Sequence, residues 1–252
     1  MELKAFEQWF AEKLQLEYFC STDSSLNGMQ VGRTGSDVRT AAFAVDASLE
    51  TFTRAVNAKA DILVVHHGLF WGRPLAVTGS HFSRIKYLIE NDLALFAAHL
   101  PLDAHPEVGN NACIAGELGL QSVRPFGEYH GQMIGCKGML SDAMSVSEVL
   151  QQLGWDDGEV TVLPFGPDKL LRGGIVSGGA AGSVYEAIDE ALDFFITGEM
   201  SHQVYHYCLE SGITMIAGGH YRTEVYGVRK LAESVERETG IQTLYIDVPT
   251  GL

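Results

Sequence analysis

Apolar and polar positions along this chain follow two periods. Near residues 3–17, "LKAFEQWFAEKLQLE" sets charged between apolar residues at helical spacing and predicts an amphipathic helix. A turn-rich stretch, "CSTDSSLNGMQVG", leads to an apolar run "TAAFAVD", a helical pattern "SLETFTRAVNAK", and a second apolar run ending "ILVVHHG". The same order returns as helix "FSRIKYLIEN" before strand "LALFAAH", and as helix "HQVYHYCLES" before strand "TMIAGGH". Short β-branched runs alternating with helices predict an α/β fold, its strands largely parallel and joined by right-handed crossovers.

Residues 122–176 depart from this alternation. "SVRPFGEY", "GQMIGCKGML", "EVTVLPFG" and "LLRGGIVSG" read as strands, and the one helix between them, "SVSEVLQQLGW", opens with a capping box at Ser145 and Glu148. This predicts a second α/β lobe, residues 127–217, inserted into a first formed by residues 1–126 and 218–252.

Composition narrows the function classes. With 32 acidic and 17 basic residues the net charge is −15, and no basic cluster exceeds a pair such as Arg229 and Lys230. Binding to a nucleic-acid backbone by counterion release is therefore disfavoured. Four cysteines show no CxxC spacing, which points away from zinc ribbons and dithiol redox motifs and toward reduced thiols in a cytoplasm. The first residues lack the apolar centre of a signal peptide, and no run is long enough to span a membrane, so no membrane partner is expected.

Candidate chemistry gathers where strands end. His66 and His67 follow "ILVV" and precede Gly68. Ligands collect at the carboxyl ends of strands in open α/β sheets. Adjacent residues of a strand face opposite ways, so both imidazoles reach one site only if the strand bends there, as Gly68 permits. The plain alternative is a core histidine beside a surface one. Three segments are alike in type: "VVHHG", "AAHLPLDAHPEVGNN" and "AGGHYRTE" each bring histidine, with Asp103 and Glu224 as attendant carboxylates. Mixed imidazole and carboxylate donors suit Zn, Mn, Fe or Ni, and five of them exceed what one open catalytic ion takes. Two ions are the natural inference. His220 and Glu224 stand four residues apart, so a helix starting near Tyr221 turns both to one point, where a carboxylate can bridge two cations.

Other residues carry weaker signals. His99 and His105 would be loop residues or partners to the ligating imidazoles. Glu199, in "FITGEMSH", would orient substrate or hold a ligand histidine, although a carboxylate near a helix start is explained equally by the helix dipole. His81, His130, His202 and His206 lack carboxylate company and read as surface residues. The glycine-rich "GGIVSGGAAGS" reads as tight packing or an anion cradle, and Ser177 within it lacks a nucleophile-elbow pattern.

Together, "SLNGMQVG", "VVHHGLFW", "HLPLDAHPEVGNNACIA", "FITGEMSH" and "AGGHYRTEVYGVRKLAE" resemble the GTP cyclohydrolase I type 2 family, also called the YbgI or Nif-three-like family. The resemblance covers nearly the whole chain in the compact bacterial form, with Met29 where the family's "NGLQVG" has leucine. It implies two interlinked α/β lobes with mixed sheets flanked by helices, assembled into a toroidal homohexamer, a trimer of dimers, around a dinuclear metal centre. By motif, the ligands are His66, His67, Asp103, His220 and Glu224. The implied function is metal-dependent hydrolysis of a nucleotide or related small molecule at a cyclic amidine C–N bond, with hydroxide supplied at the metal. The rival reading is a metal-binding ring that serves as a scaffold or metal chaperone for a protein partner.

Overall fold

The structure, a computed structural model, describes all 252 residues apart from the side chain of Asp157. Its residues fall into two compact units, Met1–Leu102 with Val228–Val248, and Asp103–Gly227 with Pro249–Leu252.

The first unit contains α1 (Leu3–Lys13), α2 (Leu16–Phe19), β1 (Gly28–Val31), β2 (Thr40–Asp46), α3 (Leu49–Asn57), β3 (Ile62–His67), α4 (Gly79–Glu90) and β4 (Ala94–Ala97). The short α5 (Leu100–Asp103) ends in the second unit, which continues with α6 (Asn110–Glu117), β5 (Gln121–Tyr129), β6 (Gln132–Met144) and α7 (Val146–Leu153). There follow β7 (Thr161–Pro164), β8 (Leu170–Ile175), α8 (Val184–Asp189), β9 (Phe194–Thr197), α9 (Tyr205–Ser211) and β10 (Thr214–Ala217). α10 (His220–Thr239) begins in the second unit and ends in the first, and β11 (Gln242–Tyr245) completes the first.

Each unit is built on one mixed sheet, as the family resemblance implies, where patterning alone predicts strands that are largely parallel. In the first the order is β1-β4-β3-β2-β11, with all neighbours parallel except the edge pair β1 and β4. Its central strands are buried on both faces, which is why "AAFAV" and "ILVV" read as unbroken apolar runs rather than alternations. Phe52, Leu63, Leu88 and Leu95 are among the side chains of its core. The expected first helix is interrupted where Gln15 takes the left-handed conformation, φ 51°, leaving α2 as a separate turn. Helix α3 is fixed by a reciprocal cap between Ser48 and Thr51.

In the second unit the order is β5-β6-β8-β9-β10-β7, parallel through β8, β9 and β10 and antiparallel elsewhere. The capping box of α7 forms as the sequence predicts: Ser145 Oγ accepts from the Glu148 N–H and Glu148 accepts from the Ser145 N–H, while Gly154 closes the helix at φ 67°. The boundaries of the units differ from those read in the sequence. β5 pairs with β6 from Gln121↔Met139 to Tyr129↔Gln132, and Ile114, Ala115 and Leu118 of α6 lie in the second core. Residues 103–126 therefore belong with the second sheet, and Asp103, His220 and Glu224 with them. No helix among the described residues is long and apolar enough to cross a membrane.

Candidate metal centre

In the first unit the donors stand on strand ends. β2 and β3 run parallel with Asp46 opposite His67, so the ladder itself sets a carboxylate beside an imidazole. Asp46 Oδ1 lies 2.9 Å from His67 Nδ1. His66, wholly buried, places its Nδ1 2.9 Å from the carbonyl oxygen of Ala98, just past the end of β4. His99 follows, its Nδ1 2.9 Å from Asp23 Oδ1. One ligand atom from each of His66, His67 and His99 lies within 4.8 Å of the others. Both members of the histidine pair thus reach one place. Gly68 serves this differently from the bend expected of it: the space a side chain would fill there holds the amide of Gln30, whose Oε1 accepts from the Leu69 N–H at 2.6 Å.

Asp23 is itself held. Its carboxylate accepts from the Ser25 N–H, from Asn27 Nδ2 and from the Leu100 N–H, while Asn27 Oδ1 accepts from the His99 N–H. Burial works to raise its pKa, but hydrogen bonding and charge attraction from His99, with the bonds from Asn27 and Ser25, outweigh it and hold the carboxyl below its ordinary value. The turn-rich segment before β1 is a clamp on His99.

In the second unit His220 opens α10 and Glu224 lies one turn on, as the four-residue spacing predicts. His220 Nε2 is 3.1 Å from Glu224 Oε1, and His220 Nδ1 is 2.6 Å from Glu199 Oε1. Glu224 is buried. Gly178, at φ +65°, lies directly over it: a Cβ there would stand 2.4 Å from Glu224 Oε1 and 3.3 Å from His220 Nε2. The glycine-rich segment is thus a packing device for these two side chains. Asp103 is buried and its Oδ1 accepts from Asn110 Nδ2 at 2.8 Å and Ser177 Oγ at 3.0 Å. Asn111 braces the same corner, accepting from the Ser177 N–H and donating to the Ile134 carbonyl.

Four histidines, His66, His67, His99 and His220, therefore have Nδ1 engaged by an oxygen, the arrangement that fixes a ligating imidazole and leaves Nε2 as the donor to a cation. In each unit, taken by itself, the candidate donors are nitrogen and oxygen only, imidazoles in the first and imidazole with the carboxylates of Asp103 and Glu224 in the second, a chemistry that suits Zn, Mn, Fe or Ni. His105 does something else: its Nδ1 accepts from the N–H groups of Glu107 and Val108 and caps a turn. His130, His202 and His206 are exposed, as read from the sequence. Sequence reasoning did not single out Asp46, Asp23, Asn110 or Asn111, and it gave Ser177 no role. Of these only Asp46 carried a signal, a carboxylate closing a buried strand beside the histidine strand.

Comparison with known proteins agrees with this architecture. The sequence profile of the Duf34/NIF3 family (NGG1p interacting factor 3) matches residues 1–250. A GTP cyclohydrolase 1 type 2 homolog of Deinococcus radiodurans is 44% identical over 246 residues, 97% of this chain and 92% of that one. The solved structure of the protein ybgI superposes with a TM-score of 0.91 at 33% identity, over the full length of both chains. One from Thermus thermophilus superposes at 0.89 and 36% identity, again over both full lengths. The chain belongs to the Duf34/NIF3 family.

Proposed function

We propose that this protein is a metal-dependent hydrolase with two divalent ions, held by His66, His67, Asp103, His220 and Glu224, and that it acts on a nucleotide or related small molecule. One observation carries the reading: each of the three proposed imidazole ligands has its Nδ1 anchored, on Ala98 O, Asp46 and Glu199 respectively. A buried aspartate whose Oδ1 accepts from Asn110 and Ser177, and a buried glutamate 3.1 Å from His220 Nε2, add anionic oxygen to the proposed donors. The relatives' name, GTP cyclohydrolase 1 type 2 homolog, points to a purine nucleotide and to hydrolysis of its cyclic amidine C–N bond.

When bound, a pair of divalent ions acidifies water and polarises the substrate, so that a nucleophile is available near neutral pH. The chain's own residues supply position. Asp46 and Glu199 hold the rings of His67 and His220 in one tautomer, with the proton on Nδ1. Asp23 does the same for His99, which stands beside His66 and can take a ligand or proton-holding part. Glu224 supplies negative charge to offset two cations. We assign the protein to the cytoplasm and to the homohexameric ring of its family, with no nucleic-acid partner, since −15 per chain is multiplied in a ring.

A screen of the metal-loaded protein against nucleotides and damaged bases tests the reading, with Glu224→Ala as control. Turnover that disappears in the variant supports it. Two tightly held ions with no turnover of any nucleotide would replace the hydrolase with a metal-holding scaffold.

A further inference from the structure

We infer that Ser177 and Asn110 restrict Asp103 to holding a cation through one oxygen only, Oδ2, and thereby widen the centre's preference for zinc over manganese. The inference rests on the metal centre proposed above and concerns which ion that centre selects. All the groups it uses belong to the second unit.

An ionised carboxylate accepts along roughly four directions, two at each oxygen. On Asp103 those of Oδ1 are taken by two neutral donors, Asn110 Nδ2 at 2.8 Å and Ser177 Oγ at 3.0 Å. All three residues are buried. Chelation of one ion by both oxygens would displace these donors and strand them away from water without an acceptor, which is unfavourable. Oδ2 is then the oxygen through which a cation is held. A carboxylate oxygen of Asp103 and one of Glu224 lie within 4.8 Å of each other, so one ion can meet both residues.

Neither donor can swing aside. Ser177 lies just past the end of β8, and its N–H donates to Asn111 Oδ1 at 2.7 Å. The next residue is held as firmly: the Gly178 N–H donates to Thr223 Oγ1 at 3.1 Å, and the Gly178 carbonyl accepts from the N–H groups of Gly198 and Glu199 at 2.9 and 3.0 Å. With that backbone fixed, the hydroxyl has a single torsion left to set. Asn110 is gripped at its far end, where Oδ1 accepts from the Gly227 N–H at 2.7 Å. That bond settles which end of the amide is oxygen and turns Nδ2 toward Asp103.

The number of ligands an ion takes then decides between ions. Zinc is most often held by four ligands, whereas manganese favours octahedral sites rich in oxygen. A chelating carboxylate occupies two positions, which suits the second kind of ion and crowds the first. Nitrogen and oxygen sites in general bind zinc more tightly than manganese. An aspartate limited to one oxygen enlarges that margin.

Ser177→Ala removes one donor and leaves the backbone bonds in place, while Ser177→Thr keeps the hydroxyl. Dissociation constants for zinc and for manganese, measured on the full chain by competition with a chelator, give the ratio that matters. The preference for zinc should fall by about tenfold in Ser177→Ala, at the lower end of what losing a partner of a metal ligand does, and stay near the wild-type value in Ser177→Thr. Cobalt(II) bound in place of zinc reports the same change, because its visible absorption weakens as its coordination number rises; the band should be weaker in Ser177→Ala than in wild type. A hydroxyl that only supports the fold would, on removal, weaken both metals alike and leave the cobalt band unchanged, and that result would overturn the inference. Circular dichroism checks folding. Should Ser177→Ala misfold, a crystal structure of the zinc-loaded wild type decides: ligation through Oδ2 alone supports the inference, and chelation through both oxygens of Asp103 overturns it. A wild type that binds neither metal would remove the centre and this inference together. Ions held with the expected shift in ratio, but with no turnover of any nucleotide, would remove only the hydrolase reading.

Discussion

His220 turns both of its ring nitrogens to carboxylates: Nδ1 lies 2.6 Å from Glu199 Oε1, and Nε2 lies 3.1 Å from Glu224 Oε1. The two glutamates are otherwise unlike. Glu224 is buried and Glu199 is more than half exposed. The proposed centre gives them different duties, one as donor to the cations and one as anchor of the ring.

Glu224→Gln should accordingly lose at least one of two metal equivalents, since the amide keeps the shape and discards the charge. Glu199→Gln should keep the stoichiometry and weaken affinity by about 10 to 100-fold. Elemental analysis and metal titration of both variants check this. Full metal content in the Glu224 variant together with loss in the Glu199 variant would reverse the assignment.

Stripping with a chelator should lower the melting temperature, and adding back a divalent transition metal should restore it with uptake of about two ions per chain. A ligand at one hundred times its dissociation constant stabilises the fold that binds it by about 2.7 kcal/mol. Scanning calorimetry with and without added metal reads the effect, and saturation at one equivalent would contradict a dinuclear centre.

Gly178→Ala should be costly for two reasons. A left-handed backbone costs an L-residue about 1–2 kcal/mol, and the new Cβ would meet Glu224 Oε1 at 2.4 Å. Stability in urea and metal content should both fall. Gly182→Ala, at a position with open space around it, should leave metal content unchanged.

Asp61 links acid stability to the first sheet. Burial favours its neutral form, but the N–H groups of Arg39 and Thr40 and the guanidinium of Arg33 outweigh burial and hold its pKa below 3.8. A carboxyl depressed in the folded state contributes stability that is complete above its unfolded value and is lost as pH falls through the lower folded one. Asp61→Asn should therefore reduce stability at pH 6 and flatten its decline below pH 4. Urea titrations across that range measure the difference, and an unchanged acid limb would count against it.

The sequence discloses contacts that lie within one element and conceals those that need a register. His220 and Glu224 are readable together because a helix returns to the same face after four residues. Asp46 and His67 close two visible strands, yet nothing in "TAAFAVD" and "ILVVHH" says that these residues stand opposite one another; the parallel ladder does. Asp23 is 76 residues from His99 in a segment with no period, and its role shows only in the folded loop. The limits of the units were obscured for a similar reason. α6, "NNACIAGE", is only weakly amphipathic and buries Asn110 and Asn111 beside Ile114, so which sheet Ile114 and Leu118 pack against is decided by tertiary packing. The α/β class, by contrast, follows from patterning alone.

The first sheet has a consequence for synthesis. β2 is flanked on one side by β3, made shortly after it, but on the other by β11, whose Gln242–Tyr245 pair with Thr40–Phe43. On the ribosome, roughly 140 residues separate the end of the first block at Leu102 from the strand that completes its sheet. At about 5–20 residues per second this leaves the outer edge of β2 unpaired for on the order of ten seconds, while the chain of the second unit is still emerging. An unpaired strand edge is a template for other chains. A nascent chain arrested before Gln242 should recruit strand-binding chaperones that the finished protein does not, and ribosome-bound fragments of graded length would show where that recruitment stops.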